Sequence, residues 1–203
     1  MGHEQRVLVL VCPFPDRKPI LGYARTAIIR CSSPSRAGAA EQRRLRLGYY
    51  EHVENGPRPS IAVIQDADES ERGLGAFWGE VQTNVHMALG CPAVVTDGSV
   101  RDIPQMAKGF FVLAGSIMPS HVHADVVAFN CPVKVAGLEV NPGDIIHADR
   151  HGAVIVPEAA AAQIPAAAEL LMRKEKVILD ACKRPGFSAA AIRDSFARMD
   201  GIH

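Results

Sequence analysis

The chain has no excess of charge of either sign. Its 22 lysines and arginines balance 22 aspartates and glutamates, so the formal net charge is +0. Proteins that bind nucleic acid or an anionic membrane surface electrostatically carry an excess of basic residues. We therefore expect neither a nucleic-acid partner nor a membrane partner. Three arginines fall on one predicted helix, and we interpret them as a solvated helix face: Arg43, Arg44 and Arg46.

Long hydrophobic runs and an even set of cysteines are also lacking. No apolar run approaches the ~20 residues that a membrane-spanning helix needs. The apolar run at residues 6–11 is too short for the core of a signal peptide, although it could form a strand. The five cysteines are scattered without metal-ligand spacing: Cys12, Cys31, Cys91, Cys131 and Cys182. We predict free thiols in a reducing compartment and hence a cytoplasmic location.

What the chain does have is enough apolar material for a core. It contains 203 residues, of which 48% are hydrophobic, which suits one domain of ordinary size. Strand and helix patterns alternate loosely in the first half, several strands then follow one another, and helices close the chain. This order predicts one α/β domain of mixed sheet content over residues 1–203, with C-terminal helices in residues 158–203.

Individual elements follow from the spacing of apolar residues and from turn residues. Strands are predicted at residues 20–31, 60–65, 93–96, 109–114, 132–140, 144–148 and 153–156. Helices are predicted at residues 39–54, from residue 79 to Gly90, on either side of Pro165, and at residues 188–199. In the helix that starts near residue 79, four apolar residues recur at helical spacing and are predicted to face the core: Val81, Val85, Ala88 and Leu89.

Residues 73–102 hold the main candidate site. The first N–H groups of the helix that begins near Gly79 lack intrahelical partners and attract carboxylates. After the buried strand at residues 93–96 and a turn, Arg101 offers a planar fork suited to a carboxylate or an enolate oxygen. Asp102 is a hard oxygen ligand for a divalent cation. If these two ends converge, they can hold a small anionic substrate beside a metal.

Each of these residues also has a purely structural interpretation. Gly79 could be only a flexible helix start. Asp102 could cap a helix that begins around Pro104, with Gln105 completing a pattern like a capping box. Arg101 could pair with a surface carboxylate.

Other polar residues are candidates for lining the site. Asp66 follows the strand at residues 60–65, where loops of α/β proteins bind ligands, but it could equally form a turn. His121 and His123 would share one face if their segment is extended, which fits either a ligand role or a half-exposed polar face. We treat both histidines as candidate lining residues only. We interpret His147 and His151 as turn and interface residues.

These residues resemble the RraA-like family. The resemblance rests on Gly79-Glu80, on the DGSVRD element at residues 97–102, and on the PGD…AD…G…VP run at residues 142–157. It covers about residues 21–157. The family includes 4-hydroxy-4-methyl-2-oxoglutarate aldolases, oxaloacetate decarboxylases and the regulator of RNase E activity. The resemblance implies an RraA-like swivelling β/β/α fold, assembled as a homotrimer or hexamer with sites at subunit interfaces. The chain is short before its first core strand, where the family usually has a helical segment.

The resemblance implies a divalent-metal-dependent (class II) lyase acting on a pyruvate-containing 2-oxo acid through a pyruvate enolate. Asp102 would hold Mg²⁺ or Mn²⁺, and Arg101 would contact the keto or enolate oxygen. The substrate carboxylate would be bound by N–H groups at the helix start: Gly79, Glu80, Val81 and Gln82. No lysine falls in the matched motifs, which disfavours a Schiff base.

Three questions stay open from the sequence. The general base could be a water on the metal, His121 or His123. The reaction could be a retro-aldol cleavage of the 4-hydroxy-4-methyl-2-oxoglutarate type or a decarboxylation of oxaloacetate, because both leave the same enolate. The alternative function is a non-catalytic regulator that binds and inhibits a ribonuclease.

Overall fold

A computed structural model describes residues 9–35, 37–121 and 123–203. It divides into two compact units, Met1–Val156 and Pro157–His203. The boundary falls where the C-terminal helices were predicted to begin, and a single folding domain over the whole chain stays a prediction. The strand considered at residues 6–11 lies mostly outside the described residues. Within it, Val11 forms an isolated antiparallel bridge with Ala114.

The described elements confirm the predicted α/β class. The strands are β1 (Ile20–Arg30), β2 (Ser60–Asp66), β3 (Ala76–Trp78), β4 (Ala93–Thr96), β5 (Ser99–Val100), β6 (Phe111–Leu113), β7 (Ser116–Ile117), β8 (Asp125–Phe129), β9 (Val133–Val135), β10 (Leu138–Val140), β11 (Ile145–Asp149) and β12 (Gly152–Val156). The helices are α1 (Ala39–Glu54), α2 (Glu80–Ala88), α3 (Glu158–Ala161), α4 (Ile164–Cys182) and α5 (Ala189–Asp200).

The main sheet of the first unit is mixed, with the strand order β12-β11-β1-β2-β4-β6. Strands β1, β2, β4 and β6 are parallel, whereas β11 and β8 pair antiparallel with β1. Its central strands are buried on both faces, which explains their continuous apolar runs. Along β2, Ile61 and Val63 enter one core cluster, and Ala62 and Ile64 enter the other.

A second, small sheet sets the position of the candidate site. It has the order β3-β5-β7, and all three strands are parallel. Ala76 pairs with Ser99, and Trp78 pairs with Val100. Because parallel strands end at the same edge of a sheet, the residues that follow β3 lie beside those that follow β5.

Helix α2 begins where the sequence predicts, but its predicted buried face is only partly correct. Leu89 packs against a core cluster, as predicted. Val81 is 66% exposed and Ala88 is also exposed, whereas Thr83 and His86 are fully buried. The buried polar groups are stable there because each is hydrogen-bonded, which removes most of the cost of taking it out of water. Tyr49 is the partner of His86, and Ala107 is a partner of Thr83.

The second unit contains the predicted C-terminal helices. Pro165 lies in the first turn of α4, where its missing N–H is not needed, and α3 ends before it. Ser188 caps α5 by accepting a hydrogen bond from the N–H of Ala191 at 3.4 Å. Among the described residues, the helices are too short or too polar to span a membrane.

Candidate functional site

The ends of β3 and β5 bring two distant pieces of the chain into contact. The N–H of Arg101 donates to the carbonyl of Trp78 at 2.8 Å, and this bond continues the strand pairing by one residue. The N–H of Glu80 then donates to Oδ2 of Asp102 at 3.3 Å. The amino end of α2 therefore lies against Arg101 and Asp102, which is the convergence on which the candidate site depends.

Gly79 permits this close approach. A β-carbon at this position would lie 2.5 Å from Oδ2 of Asp102 and 3.0 Å from Cγ of Arg101. The backbone of Gly79 is extended, with φ at −166°, so the conformation itself would accept any residue. The glycine is needed for space and is not merely a flexible helix start.

Asp102 has an unusual backbone conformation, with φ at 53° and ψ at 38°. Asp is one of the few residues that tolerate this left-handed region, and such conformations concentrate at functional sites. A short 3₁₀ helix, Ile103–Gln105, follows it, but the Asp102 side chain makes no capping hydrogen bond to it. Asp102 is thus the N-cap residue by position, as the capping interpretation has it, but its carboxylate does not cap the helix and lies instead against α2 and Arg101.

Arg101 is held at two points. Its Nε lies 3.3 Å from Oδ2 of Asp102, and its Nη1 donates to the carbonyl of Ala76. The carboxylate that it pairs with thus belongs to the candidate site itself. With 21% of its side chain exposed, the guanidinium is largely immobilised and still reaches solvent. Its second terminal nitrogen can donate to a ligand.

The first turn of α2 supplies the amide donors. The first hydrogen bond inside the helix runs from the N–H of Thr83 to the carbonyl of Gly79, at 3.1 Å. The N–H groups of Val81 and Gln82 precede this bond, and the helix dipole adds a partial positive charge there. Since Glu80 donates to Asp102, these two groups are the amides best placed to bind a carboxylate.

The two candidate histidines, His121 and His123, precede strand β8. Strand β8 begins at Asp125, after both histidines, and their same-face arrangement stays a prediction. The backbone N–H of His123 donates to the carbonyl of Cys31 at 3.0 Å, which ties His123 to the residue that follows β1. Burial, followed by the positive charges of Arg101, Arg46 and His123, lowers the pKa of His121.

Asp66 belongs to a different cluster. Its carboxylate accepts hydrogen bonds from the N–H groups of Asp68 and Gly73, at 3.0 and 2.8 Å. Its own N–H donates to Oδ1 of Asp97 at 2.8 Å. Burial raises the pKa of Asp66 to about 6, although the two N–H bonds act in the opposite direction. These contacts are those of a turn-forming aspartate that anchors the loop before β3.

Sequence reasoning missed the buried polar residues beneath α2. Tyr49 and His86 are hydrogen-bonded and fully buried, and neither was a candidate. A weak signal existed, because a histidine interrupts the apolar residues of the helix and two adjacent tyrosines, Tyr49 and Tyr50, occur on α1. That signal becomes informative only when the two helices are known to pack together.

The donor set fits a magnesium-type ion. Both contacts described for the Asp102 carboxylate are made by Oδ2, and 39% of the side chain is exposed, so Oδ1 is available as a ligand. No group of three or more ligating side chains converges within the described ranges. Mg²⁺ is commonly held by one or two carboxylates together with waters and substrate oxygens, and a single aspartate is compatible with that pattern.

Comparison with known proteins places the chain among RraA-like proteins. The RraA-like family model, described as Aldolase/RraA, matches residues 3–155. An uncharacterised protein from Pseudomonas syringae superposes with a TM-score of 0.66 at 22% identity, covering 91% of this chain and 80% of that one. RraAS2 from Streptomyces coelicolor, described as an unusual member of the RNase ES inhibitor RraA protein family, superposes with a TM-score of 0.63 at 23% identity. It covers 84% of this chain and 80% of that one. These likenesses confirm the RraA-like fold.

The curated sequence relatives match this chain over only part of their own length. A protein from Halalkalibacterium halodurans, whose name proposes a 4-hydroxy-4-methyl-2-oxoglutarate aldolase, is 25% identical over 100 residues. That match covers 48% of this chain and 46% of the relative. The chain spans between 17% and 50% of the lengths of the curated relatives that it matches.

Proposed function

The chain belongs to the RraA-like family, and on that premise we propose that it is a divalent-metal-dependent lyase that cleaves a carbon–carbon bond of a pyruvate-containing acid. One observation carries the proposal: the parallel pairing of β3 with β5 places the amino end of α2 against Arg101 and Asp102. Amide donors, a guanidinium and a carboxylate are thereby brought close together. These three groups suit, in turn, a substrate carboxylate, an enolate oxygen and a cation.

The reaction needs a sink for negative charge, because breaking the bond leaves a pyruvate enolate. A bound Mg²⁺ or Mn²⁺ ion would supply Lewis-acid stabilisation of that charge. Asp102 would hold the ion through its carboxylate. The N–H groups of Val81 and Gln82 would bind the substrate carboxylate, and Arg101 would donate to the keto oxygen.

Arg101 is suited to stabilise the transition state more than the ground state. Its guanidinium is already fixed by Asp102 and by the carbonyl of Ala76, so little reorganisation is needed when charge develops. The negative charge on the substrate oxygen is greater in the transition state than in the keto acid. The interaction therefore strengthens along the reaction, which is the condition for catalysis.

A retro-aldol cleavage also needs a base for the substrate hydroxyl, whereas decarboxylation of oxaloacetate does not. We propose His121 for this role, because the charge of Arg101 is among the causes that lower its pKa, which supports a position near the site, and a neutral imidazole accepts a proton. A His121→Gln variant should lose aldol cleavage and keep decarboxylation. Equal activity of this variant and the wild type in both reactions would remove His121 and leave His123 or water.

The proposal includes a homotrimer or hexamer in the cytoplasm. The cytoplasmic part of the proposal rests on the five scattered cysteines, whose spacing suits free thiols in a reducing compartment. Several large apolar side chains of α4 and α5 are exposed in the single chain and could be covered by another subunit: Leu171, Met172, Leu179 and Phe196.

The test is pyruvate release from a small panel of substrates. 4-Hydroxy-4-methyl-2-oxoglutarate and oxaloacetate are each supplied with Mg²⁺ or Mn²⁺, with and without a chelator. Metal-dependent pyruvate release from either acid supports the proposal, and the ratio of the two rates identifies the main reaction. No pyruvate from any acid in the presence of metal would overturn it and favour a non-catalytic regulator that binds a ribonuclease.

A further inference from the structure

The first turn of α2 is held to the rest of the protein by polar contacts. Oη of Tyr49, on α1, lies 2.7 Å from Nε2 of His86, and Nδ1 of His86 lies 2.7 Å from the carbonyl oxygen of Gln82. Tyr49 and His86 are both fully buried. A directed chain of contacts thus joins α1 to the turn of α2 that carries the amide donors.

The direction of this chain follows from simple chemistry. A carbonyl oxygen only accepts, so Nδ1 of His86 must carry the proton and donate to Gln82. Burial is the main cause that lowers the pKa of His86 to about 4, so the ring is neutral at pH 7. Nε2 is then an acceptor, and the hydroxyl of Tyr49 donates to it. Each group is satisfied in only this one arrangement.

Two further contacts fix the same turn. The hydroxyl of Tyr50 donates to Oε1 of Gln82 at 3.1 Å. The hydroxyl of Thr83 donates to the carbonyl of Gly79 at 2.9 Å and accepts a hydrogen bond from the N–H of Ala107 at 3.0 Å. Hydrogen bonds depend on angle and distance, so they restrain the rotation and axial position of a helix more narrowly than apolar packing does.

We propose that Tyr49 and His86 are positioning residues, which set the first turn of α2 so that the N–H groups of Val81 and Gln82 point at the substrate carboxylate. The identity of that ligand rests on the proposed function, whereas the positioning does not. Neither side chain touches the substrate in this arrangement. Each acts through the carbonyl of Gln82.

The kinetic consequence is specific. The substrate carboxylate keeps its charge throughout the reaction, so the amides bind it equally in the ground state and in the transition state. Loss of such uniform binding raises KM and leaves kcat nearly unchanged. A general loss of folding would instead lower the active fraction, and with it the apparent kcat.

The test uses Tyr49→Phe and His86→Asn. The first removes only the hydroxyl. The second can keep the donor to Gln82, because Asn84 of the same helix already donates from Nδ2 to the carbonyl of Glu80, four residues earlier, at 2.8 Å. Both variants break the same Tyr49–His86 contact and leave the contact of Tyr50 with Gln82 in place, so their effects should not add in the double variant.

The matched control is Thr26→Val. Thr26 is fully buried, and its hydroxyl has no hydrogen-bond partner within the described ranges. It alternates along β1 with Ala27, and so lies on the sheet face opposite to the core cluster that contains Tyr49. This variant also changes a buried hydroxyl but leaves α2 untouched.

Two readouts decide the inference. Hydrogen exchange of the backbone amides of residues 83–87 should be at least ~10-fold faster in both test variants than in the control, since local opening of α2 becomes easier. KM for the active 2-oxo acid and Kd for oxalate with Mg²⁺, which resembles the enolate, should each rise ~10-fold, with kcat within about twofold of the wild type.

If the amide exchange rates and the KM of Tyr49→Phe and His86→Asn equal those of Thr26→Val, the positioning role is overturned. A fall in kcat with unchanged KM would overturn it as well, because it would point to an effect on the transition state only. If the wild type releases no pyruvate and binds no oxalate, the proposed function fails. The exchange measurement then decides the positioning role without any substrate.

Discussion

The α-carbon of Gly79 lies so near the Asp102 carboxylate that a β-carbon on it would be 2.5 Å from Oδ2. Real side chains do not approach this closely, so one of the two residues would have to move. Asp102 already has a left-handed backbone conformation and a contact with Arg101 at 3.3 Å. The position of the Asp102 carboxylate thus depends on the absence of a side chain at Gly79. Adding one methyl group at Gly79 tests this dependence.

We expect Gly79→Ala to reduce turnover by at least ~100-fold, because the new methyl group displaces Asp102 and Arg101 from α2 and a misplacement of about 1 Å can cost that much. The melting temperature should change little, since φ at −166° suits alanine. Steady-state kinetics and thermal unfolding of the purified variant check this.

A second helix start provides the control. Gly38 precedes α1 with an extended backbone, and a β-carbon there would meet no atom within 4 Å. Gly38→Ala should therefore keep normal turnover. Equal activity of both alanine variants would show that the close approach of Gly79 to Asp102 has no role in catalysis.

Asp102→Ala should abolish metal-dependent turnover and leave the fold intact. Asp102→Asn should be nearly as damaging, because the amide keeps the shape but loses the anionic ligand. Magnesium titration of activity, with circular dichroism to verify folding, makes the comparison. Asp149→Asn, at the last residue of β11 and with 33% of its side chain exposed, is the control. Wild-type turnover of the Asp102 variants with added magnesium would remove Asp102 from the site.

Arg101→Ala should lower kcat about 100-fold to 1,000-fold, which is the usual effect of removing one preorganised donor. Arg101→Lys should stay strongly impaired, because lysine keeps the charge but cannot contact Asp102, Ala76 and the substrate at the same time. Both kcat and melting temperature are measured. Near-normal kcat in both variants would show that Arg101 is not catalytic. Its role would then be limited to an ion pair that contributes at most ~1 kcal/mol to the free energy of unfolding.

The buried His86 should make the protein less stable in mild acid. Its folded pKa of about 4 lies below the unfolded value of about 6.5, so the unfolded state binds a proton first as the pH falls. The contribution is fully present above pH 6.5. It decreases between pH 6.5 and 4, by up to about 3 kcal/mol in free energy of unfolding.

Urea unfolding at several pH values measures this dependence. His86→Gln should show a shallower decrease than the wild type over that window, whereas His203→Gln, at the exposed C-terminus, should match the wild type. The pKa of Asp66 is raised to about 6, so its effect on the free energy of unfolding has the opposite sign as the pH falls. Because Asp66 is present in all three proteins, this effect cancels when their slopes are compared. Identical slopes in all three would contradict a neutral, buried His86.

We expect a trimer or hexamer in solution at micromolar concentration. Exposed side chains such as Leu171, Leu179 and Phe196 would lose contact with water on assembly. Multi-angle light scattering measures the mass directly. A monomer over the whole micromolar range would contradict this prediction and weaken the proposal that sites lie at subunit interfaces.

Much of the fold could be predicted because its signals are local. The helix at residues 39–54 has the bounds of α1, and the predicted start of α2 is correct because Gly79 and Glu80 mark it. Gly90 and Pro92 predict that the helix ends before them, which is close to its observed last residue, Ala88. The strand at residues 93–96 coincides with β4, since a short apolar run bounded by turn residues leaves few alternatives.

The predictions that failed concerned which groups surround a residue. Periodicity assigned Val81 to the core, yet Thr83 and His86 are buried, because α1 presents Tyr49 to that side of the helix. Tyr49 lies more than 30 residues from His86 in sequence, so no local pattern could show their contact. The same-face arrangement of His121 and His123 stays a prediction.

By itself, the sequence determined the α/β class, the bounds of longer elements such as β1, β2 and α1, and the residue types available for chemistry, because these depend on near neighbours along the chain. Only the tertiary structure decided that the start of α2 meets Arg101 and Asp102. That meeting depends on the parallel pairing of β3 with β5, whose strands are only three and two residues long. Such short strands gain stability from burial in the assembled protein, so no local pattern specifies how they pair.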